Sequence, residues 1–173
     1  MGKRSSFGRL ERDFYPTPKE AVAPLLPHLG AGVSFYEPCA GAGDLVRHLA
    51  DAGHACVWNC DIEPMSDTVA WGDAFAFYGR EADYIITNPP WARGVLHPMI
   101  LQFSSLLPTW LLFDADWVHT KQAAPYLPRL RKIVSVGRVK WFPDSKMTDK
   151  DNCAWHLFTA PSDQPAEFYG RQP

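Results

Sequence analysis

At 173 residues and 46% hydrophobic content, the chain has material for one domain with a sizeable core and none for a second of ordinary size. A formal net charge of -2 excludes a strongly basic nucleic-acid binder, while leaving room for local basic patches. No stretch reads as a membrane span or a secretory signal, so a cytoplasmic location is expected. Aromatic residues make up 13% of the chain and include seven tryptophans, more than a small core needs, which points to some on a binding surface. Cys39, Cys56, Cys60 and Cys153 lack Cys-x-x-Cys spacing, so they read as small buried hydrophobes and no metal site is expected.

Residues 1–12 are polar and basic and read as a flexible arm. Thr17-Pro18-Lys19-Glu20 has the form of a capped helix start, with the helix expected to reach about Leu29 unless Pro24 or Pro27 breaks it. Residues 33–37 read as a buried strand, Gly41-Ala42-Gly43 as a turn, and 44–52 as a helix with Leu45, Val46 and Leu49 inward. Strands follow at 55–60, near 68–71 and at 82–87, then an apolar helix at 95–107 and a strand at 109–113. Residues 121–132 read as a proline-interrupted helix, and 133–141 and 153–159 as an antiparallel hairpin at a sheet edge. Residues 161–173 read as a loose tail.

Strands alternating with helices predict a Rossmann-like α/β domain: a seven-stranded, mostly parallel sheet with helices on both faces and an antiparallel edge hairpin. Ligands bind such sheets beyond the carboxyl ends of the strands, where strand order reverses. Glu37, Gly41, Gly43, Asp61, Asp73 and Asn88 all fall just after expected strands. Glycines in the first turn let backbone approach a ligand closely. A dinucleotide fold is the competing reading of Gly-x-Gly. Val46 stands where its third glycine or alanine belongs, and Glu37 would repel a pyrophosphate. Glu37 suits an ammonium group. Asp61 can accept both hydroxyls of a ribose, or serve as an ordinary turn residue. Asp73 can accept from an adenine amino group with Ile62 or Phe75 against the ring, or cap a Gly-Asp turn.

Asp13-Phe14-Tyr15-Pro16-Thr17-Pro18, Glu37-Pro38-Cys39-Ala40-Gly41-Ala42-Gly43 and Asn88-Pro89-Pro90-Trp91, in that order, resemble the N6-adenine DNA methyltransferases, class I enzymes that use S-adenosylmethionine. The resemblance covers residues 13–160. It implies that Tyr15 and Thr17 touch the methionine end of the cofactor, and that Glu37, Cys39, Gly41, Gly43, Asp61, Ile62, Asp73, Phe75 and Asn88 complete its site. It also implies catalysis at Asn88, Pro89, Pro90 and Trp91. An adenine amino nitrogen is a poor nucleophile because its lone pair is delocalised. The Asn88 side-chain carbonyl and the Pro89 backbone carbonyl can hold its two hydrogens and free that lone pair, with the prolines stiffening the loop. Trp91 offers a face for a flipped-out base. Arg93, next to this loop, and Trp141, Phe142 and Lys146, at the base of a lysine-bearing hairpin loop, are candidate substrate contacts. A solvated hairpin tip over buried aromatics is the other reading of that loop.

DNA is the expected partner, in a bacterial or phage-infected cytosol, with RNA adenine or a protein glutamine as alternatives of the same chemistry. A non-catalytic subunit is a third reading, weakened because Glu37, Asp61 and the whole 88–91 segment are present. Nothing resembles a separate target-recognition domain. Weak or short-context sequence preference is therefore expected, with recognition supplied by loops, a homodimer or a partner subunit.

Overall fold

A computed structural model describes residues 15–76, 78–79, 81–141 and 151–171. The expected basic arm, and Phe142 and Lys146, lie outside the described residues.

The described residues form one sheet of eight strands: β1 (Ser34–Glu37), β2 (Ala55–Asp61), β3 (Ala70–Trp71), β4 (Tyr84–Thr87), β5 (Thr109–Asp114), β6 (Leu130–Arg138), β7 (Asn152–Phe158) and β8 (Glu167–Tyr169). Their spatial order is β3-β2-β1-β4-β5-β7-β6-β8. Only β7 runs against the rest, pairing antiparallel with both β5 and β6. The chain winds outward from β1 to β3, returns, and winds the other way through β4 and β5. The reversal between β1 and β4 opens a crevice at their carboxyl ends.

The central strands alternate side chains between two covered faces. Phe35, Ile86, Trp110 and Leu112 pack with Ala21, Val22 and Leu25, and with Leu45 and Leu49 of α2 (Asp44–Asp51). Their strand neighbours Tyr36, Ile85, Leu111 and Phe113 face the other way, onto Leu96, Met99, Ile100 and Phe103 of α3 (Arg93–Leu106). The doubly covered α/β architecture expected from the sequence is therefore present, with one more strand than the seven counted there.

Three local expectations are corrected. The hairpin of β6 and β7 is not at the sheet edge, because β7 lies between β5 and β6 and β8 covers β6. Part of the supposedly loose tail is that covering strand. Arg131 ties it down by donating to the carbonyls of Pro128, Ala160, Ser162 and Gln164. Residues 121–129 form a 3-10 segment rather than an α-helix, as Pro125 and Pro128 remove two amide donors. The first helix is a single turn, Lys19–Val22, followed by a 3-10 turn at Leu26–His28 around Pro27. Among the described residues no helix is long and apolar enough to cross a membrane.

His156, on β7, is fully buried between aromatic rings, stacked on Phe113 at 3.9 Å between centroids. Neither ring nitrogen closes a hydrogen bond of normal geometry among the described residues. Burial drives its pKa down to about 3, against weaker upward pulls from the backbone of Leu111 and Ala154. A histidine that stays neutral when folded but titrates normally when unfolded stabilises the fold above its ordinary pKa and loses that contribution as pH falls toward 3. At pH 5 the loss is about 2 kcal/mol, 1.5 pH units at 1.36 kcal/mol each. His156→Phe should remove it. Urea unfolding at pH 7 and pH 5 checks this: the wild-type minus variant stability should drop by that amount on acidification, and an unchanged difference would contradict it.

Candidate functional site

The crevice at the β1–β4 reversal opens into a cleft of about 1000 Å³. Its walls include Tyr15, Thr17, Glu37, Cys39, Gly41, Asp61, Ile62, Asp73, Phe75, Asn88 and Pro90. The topology thus brings residues from positions 15 to 90 around one cavity. Gly43 is not on the wall. It precedes α2 in a left-handed conformation, φ 83°, which turns the chain into the helix.

The glycine turn is fixed from two sides. Gly41, at φ 53°, donates its N–H to Asp61 Oδ2 at 2.8 Å, and Ala40 N–H reaches the Cys60 carbonyl at 2.9 Å. The other Asp61 oxygen accepts from Glu63 N–H at 2.8 Å. The carboxylate therefore joins the end of β2 to the turn after β1 while remaining on the cleft wall. Asp73 is similarly braced, accepting from Phe75 N–H at 2.9 Å, and Phe75 stacks on Phe103 at 6.4 Å. Ile62 is about half exposed, at 55%, an apolar side chain at the rim.

Glu37 is the most deeply buried charged group among the described residues, 1% exposed. Oε1 accepts from Cys39 N–H at 3.3 Å, whereas Oε2 has no hydrogen-bond partner among the described residues. The Thr87 hydroxyl lies toward the carboxyl without closing a bond of normal geometry. Burial raises the Glu37 pKa to about 8, opposed by Thr87 and the Cys39 amide and reinforced by Asp61. Burial, with Glu37 nearby, likewise holds the Cys39 thiol well above its ordinary value, so it is an inert wall group. A buried acid with one unsatisfied oxygen suits a cationic partner, which would offset its desolvation.

Asn88 stands across the cleft at the end of β4. Its amide nitrogen donates to the Tyr15 carbonyl at 3.3 Å and to Thr17 Oγ1 at 3.1 Å. A backbone carbonyl can only accept, so these contacts assign the nitrogen end and turn the amide oxygen the other way. Thr17 is therefore not the helix cap expected from the sequence; the cap position is Pro18, with no side-chain bond. Pro89 is buried. Trp91 is half-buried, its indole N–H donating to the Leu112 carbonyl at 3.2 Å. Trp141, 7% exposed, meets Trp91 edge-on at 5.9 Å and Tyr15 at 5.8 Å, so it buttresses those two rings from the core. Arg93 is exposed at the start of α3. His97 accepts from the Trp117 indole at 3.0 Å, and burial, with Arg93 nearby, lowers its pKa.

The wall also includes residues that sequence reading passed over: Asp44, Glu63 and Met65 on one side, Val95 and Met99 of α3 on the other. The last two stand four positions apart on the helix following the Asn88 loop, a spacing that puts them on one face. That signal was present in the sequence.

No family model and no curated protein matches the chain. Solved structures do. A candidate RNA methyltransferase from Pyrococcus horikoshii aligns with a TM-score of 0.59 at 18% identity, covering 91% of this chain and 92% of that one. A candidate class I S-adenosylmethionine-dependent methyltransferase from Listeria monocytogenes aligns at 0.54 and 11% identity, covering 88% and 65%. The fold is that of the class I methyltransferases. A dimethyladenosine transferase from Plasmodium falciparum aligns at 0.50 and 13% identity, covering 83% of this chain and 60% of its own. At these identities the likeness concerns architecture, and the reading of the site rests on its own geometry.

Proposed function

We propose that this chain transfers a methyl group from S-adenosylmethionine to the N6 amino nitrogen of adenine in DNA. The observation carrying this reading is the Asn88 amide, whose nitrogen is committed to Tyr15 and Thr17 so that its oxygen is presented beside the cleft. The residues fit the cofactor. Glu37 Oε2, buried and unpartnered, matches an amino-acid ammonium, Asp61 lies on the wall at the end of β2 for a ribose, and Ile62 and Phe75 offer apolar contact to an adenine ring.

When bound, the cofactor supplies a sulfonium-activated methyl group. The chain's part is alignment. The Asn88 Oδ1 and the Pro89 carbonyl each accept one amino hydrogen of the target, leaving the nitrogen lone pair directed at the cofactor side. Both acceptors are set before the reaction, Asn88 by its two hydrogen bonds and Pro89 by burial in a stiff loop. The amine becomes cationic as it is methylated and loses a proton to water afterwards, so no general base is required. This agrees with His97, whose Nε2 is already taken by the Trp117 indole N–H and which is not on the cleft wall. Trp91 holds the flipped base by its exposed part, braced by Trp141.

A second reading, RNA adenine, is favoured by the names of two structural neighbours, the candidate RNA methyltransferase and the dimethyladenosine transferase. A competition settles the polymer: random duplex DNA and random RNA in one reaction, with N6-methyladenine mapped in both. DNA should take the label in many short sequence contexts. Label confined to RNA would overturn the DNA assignment, and label confined to one long palindrome would overturn the expectation of weak specificity.

A further inference from the structure

The fold employs some of its cations and leaves others open. Arg47 pairs with Asp44 and Lys132 with Glu167, Arg129 donates to Ser104 and Ser105, and Arg131 gathers the tail. Among the described residues Arg138, Lys140 and Arg171 enter no ion pair.

These three gather at the carboxyl end of the sheet. β6 runs parallel to β5, because both oppose β7, so it ends on the same side as β4 and the Asn88 loop. There a bulge sets Gly137 at φ 87°, and the Arg171 side chain, arriving from β8, lies across it. Its Nη1 stands 3.0 Å from where a Cβ would be, a space that glycine leaves open. Arg138 is exposed at the next position. Val139 and Trp141 then turn into the core, and Lys140 between them stays partly exposed. Because Trp141 meets Trp91, residues 138–141 carry positive charge from the end of β6 to the catalytic loop.

The surroundings on the other side have the opposite sign. Asp44, Asp61, Glu63 and Asp73 line the cleft toward β1–β3. Toward α3, Asp116 and Asp151 act on Asp114, with Arg93 opposing them. A polyanion reaching Asn88 is repelled by both groups of acids and attracted past Trp141 toward β8. Resting on the DNA reading above, we propose that Arg138, Lys140 and Arg171 bind the DNA backbone on one side of the flipped adenine, so that the duplex runs from the Asn88 loop toward β8. β6 and β8 are three and four strands from β4. That is about 14 and 19 Å at about 4.8 Å per strand, or roughly four to six base pairs.

The test is anisotropy titration across a salt series, with a duplex of G·C pairs holding one mispaired adenine, which favours flipping and fixes the register. Wild type is compared with Arg138→Gln, Lys140→Gln, Arg171→Gln and the triple variant. Each lost phosphate contact should reduce the slope of log K against log salt by about 0.9, and the triple variant by about 2.7, or about eightfold in affinity per residue at 0.1 M salt. Cofactor affinity should not change. Cutting one flank of the duplex to two base pairs should weaken wild type markedly more than cutting the other, and the triple variant should not distinguish the two. An unchanged slope in the triple variant, or equal losses from either flank in wild type, would make these cations a solvated face and overturn the proposal. Wild type that binds no duplex even at low salt would reject the DNA reading itself, and this surface with it.

Discussion

Asn88→Ala is expected to lower methyl transfer by about 10²–10³-fold or more, the range for removing one preorganised group from a transition state. The Asn88 side chain does two jobs, and the substitution removes both. Its oxygen is one of two acceptors proposed for the target amino group, and its nitrogen holds the Tyr15–Thr17 segment onto the cleft. Cofactor affinity should therefore weaken, but by no more than about 30-fold, because each of the two lost hydrogen bonds contributes about 1 kcal/mol. Thr17→Ala separates the two jobs. It leaves the oxygen in place but removes one of its two anchors, so kcat should fall about tenfold. Single-turnover rates and cofactor titrations on both variants check this. Equal losses of rate and cofactor affinity in Asn88→Ala would mean that Asn88 serves the cofactor alone.

Glu37→Gln should make the protein more stable and nearly abolish cofactor binding. The carboxyl is buried with a pKa of about 8 against 4.5 unperturbed. A folded state that keeps its proton contributes stability below the unfolded pKa and loses it as pH rises toward the folded one. At pH 7 the accumulated loss is about 3 kcal/mol, 2.5 pH units at 1.36 kcal/mol each, and the amide escapes it. The same titration governs ligand binding. An ammonium group requires the ionised form, so wild-type affinity for S-adenosylmethionine should tighten about tenfold per unit from pH 6 toward pH 8, with release of a proton. Glu37→Gln should bind weakly at every pH with no such slope. Thermal unfolding and calorimetry in two buffers of different ionisation enthalpy read both effects. Flat wild-type affinity across that range would show that Glu37 does not face the cofactor's charge.

The two results depend on different amounts of information in the sequence. The cleft was legible because its chemistry is local. A strand followed by Gly41-Ala42-Gly43, and another followed by Asn88-Pro89-Pro90-Trp91, place acceptors and backbone turns at strand ends whatever the rest of the chain does. The alternation of strands and helices then fixes that these ends point the same way. What escaped was set by distant partners. Thr17 has the local pattern of a helix cap, yet its hydroxyl is taken by an amide 71 positions away. Asp61 is a ribose ligand by pattern, yet it also fastens the glycine turn. The strand Glu167–Tyr169 is too short and exposed to show periodicity, and it forms because β6 offers an open edge and Arg131 gathers the tail. Trp141 was grouped with surface contacts because it adjoins a lysine-bearing loop. Its burial behind Trp91 follows from where the chain runs as it leaves β6, which no local pattern encodes.

The central claim is the identity of the methylated atom. S-adenosylmethionine bearing a deuterated methyl group, incubated with the purified protein and adenine-containing duplex DNA and followed by nucleoside mass spectrometry, tests it most directly. The label should appear on N6 of deoxyadenosine with wild type and fall to background with Asn88→Ala. Label on a ring nitrogen, on cytosine or on no nucleoside, or equal labelling by the two proteins, would contradict it.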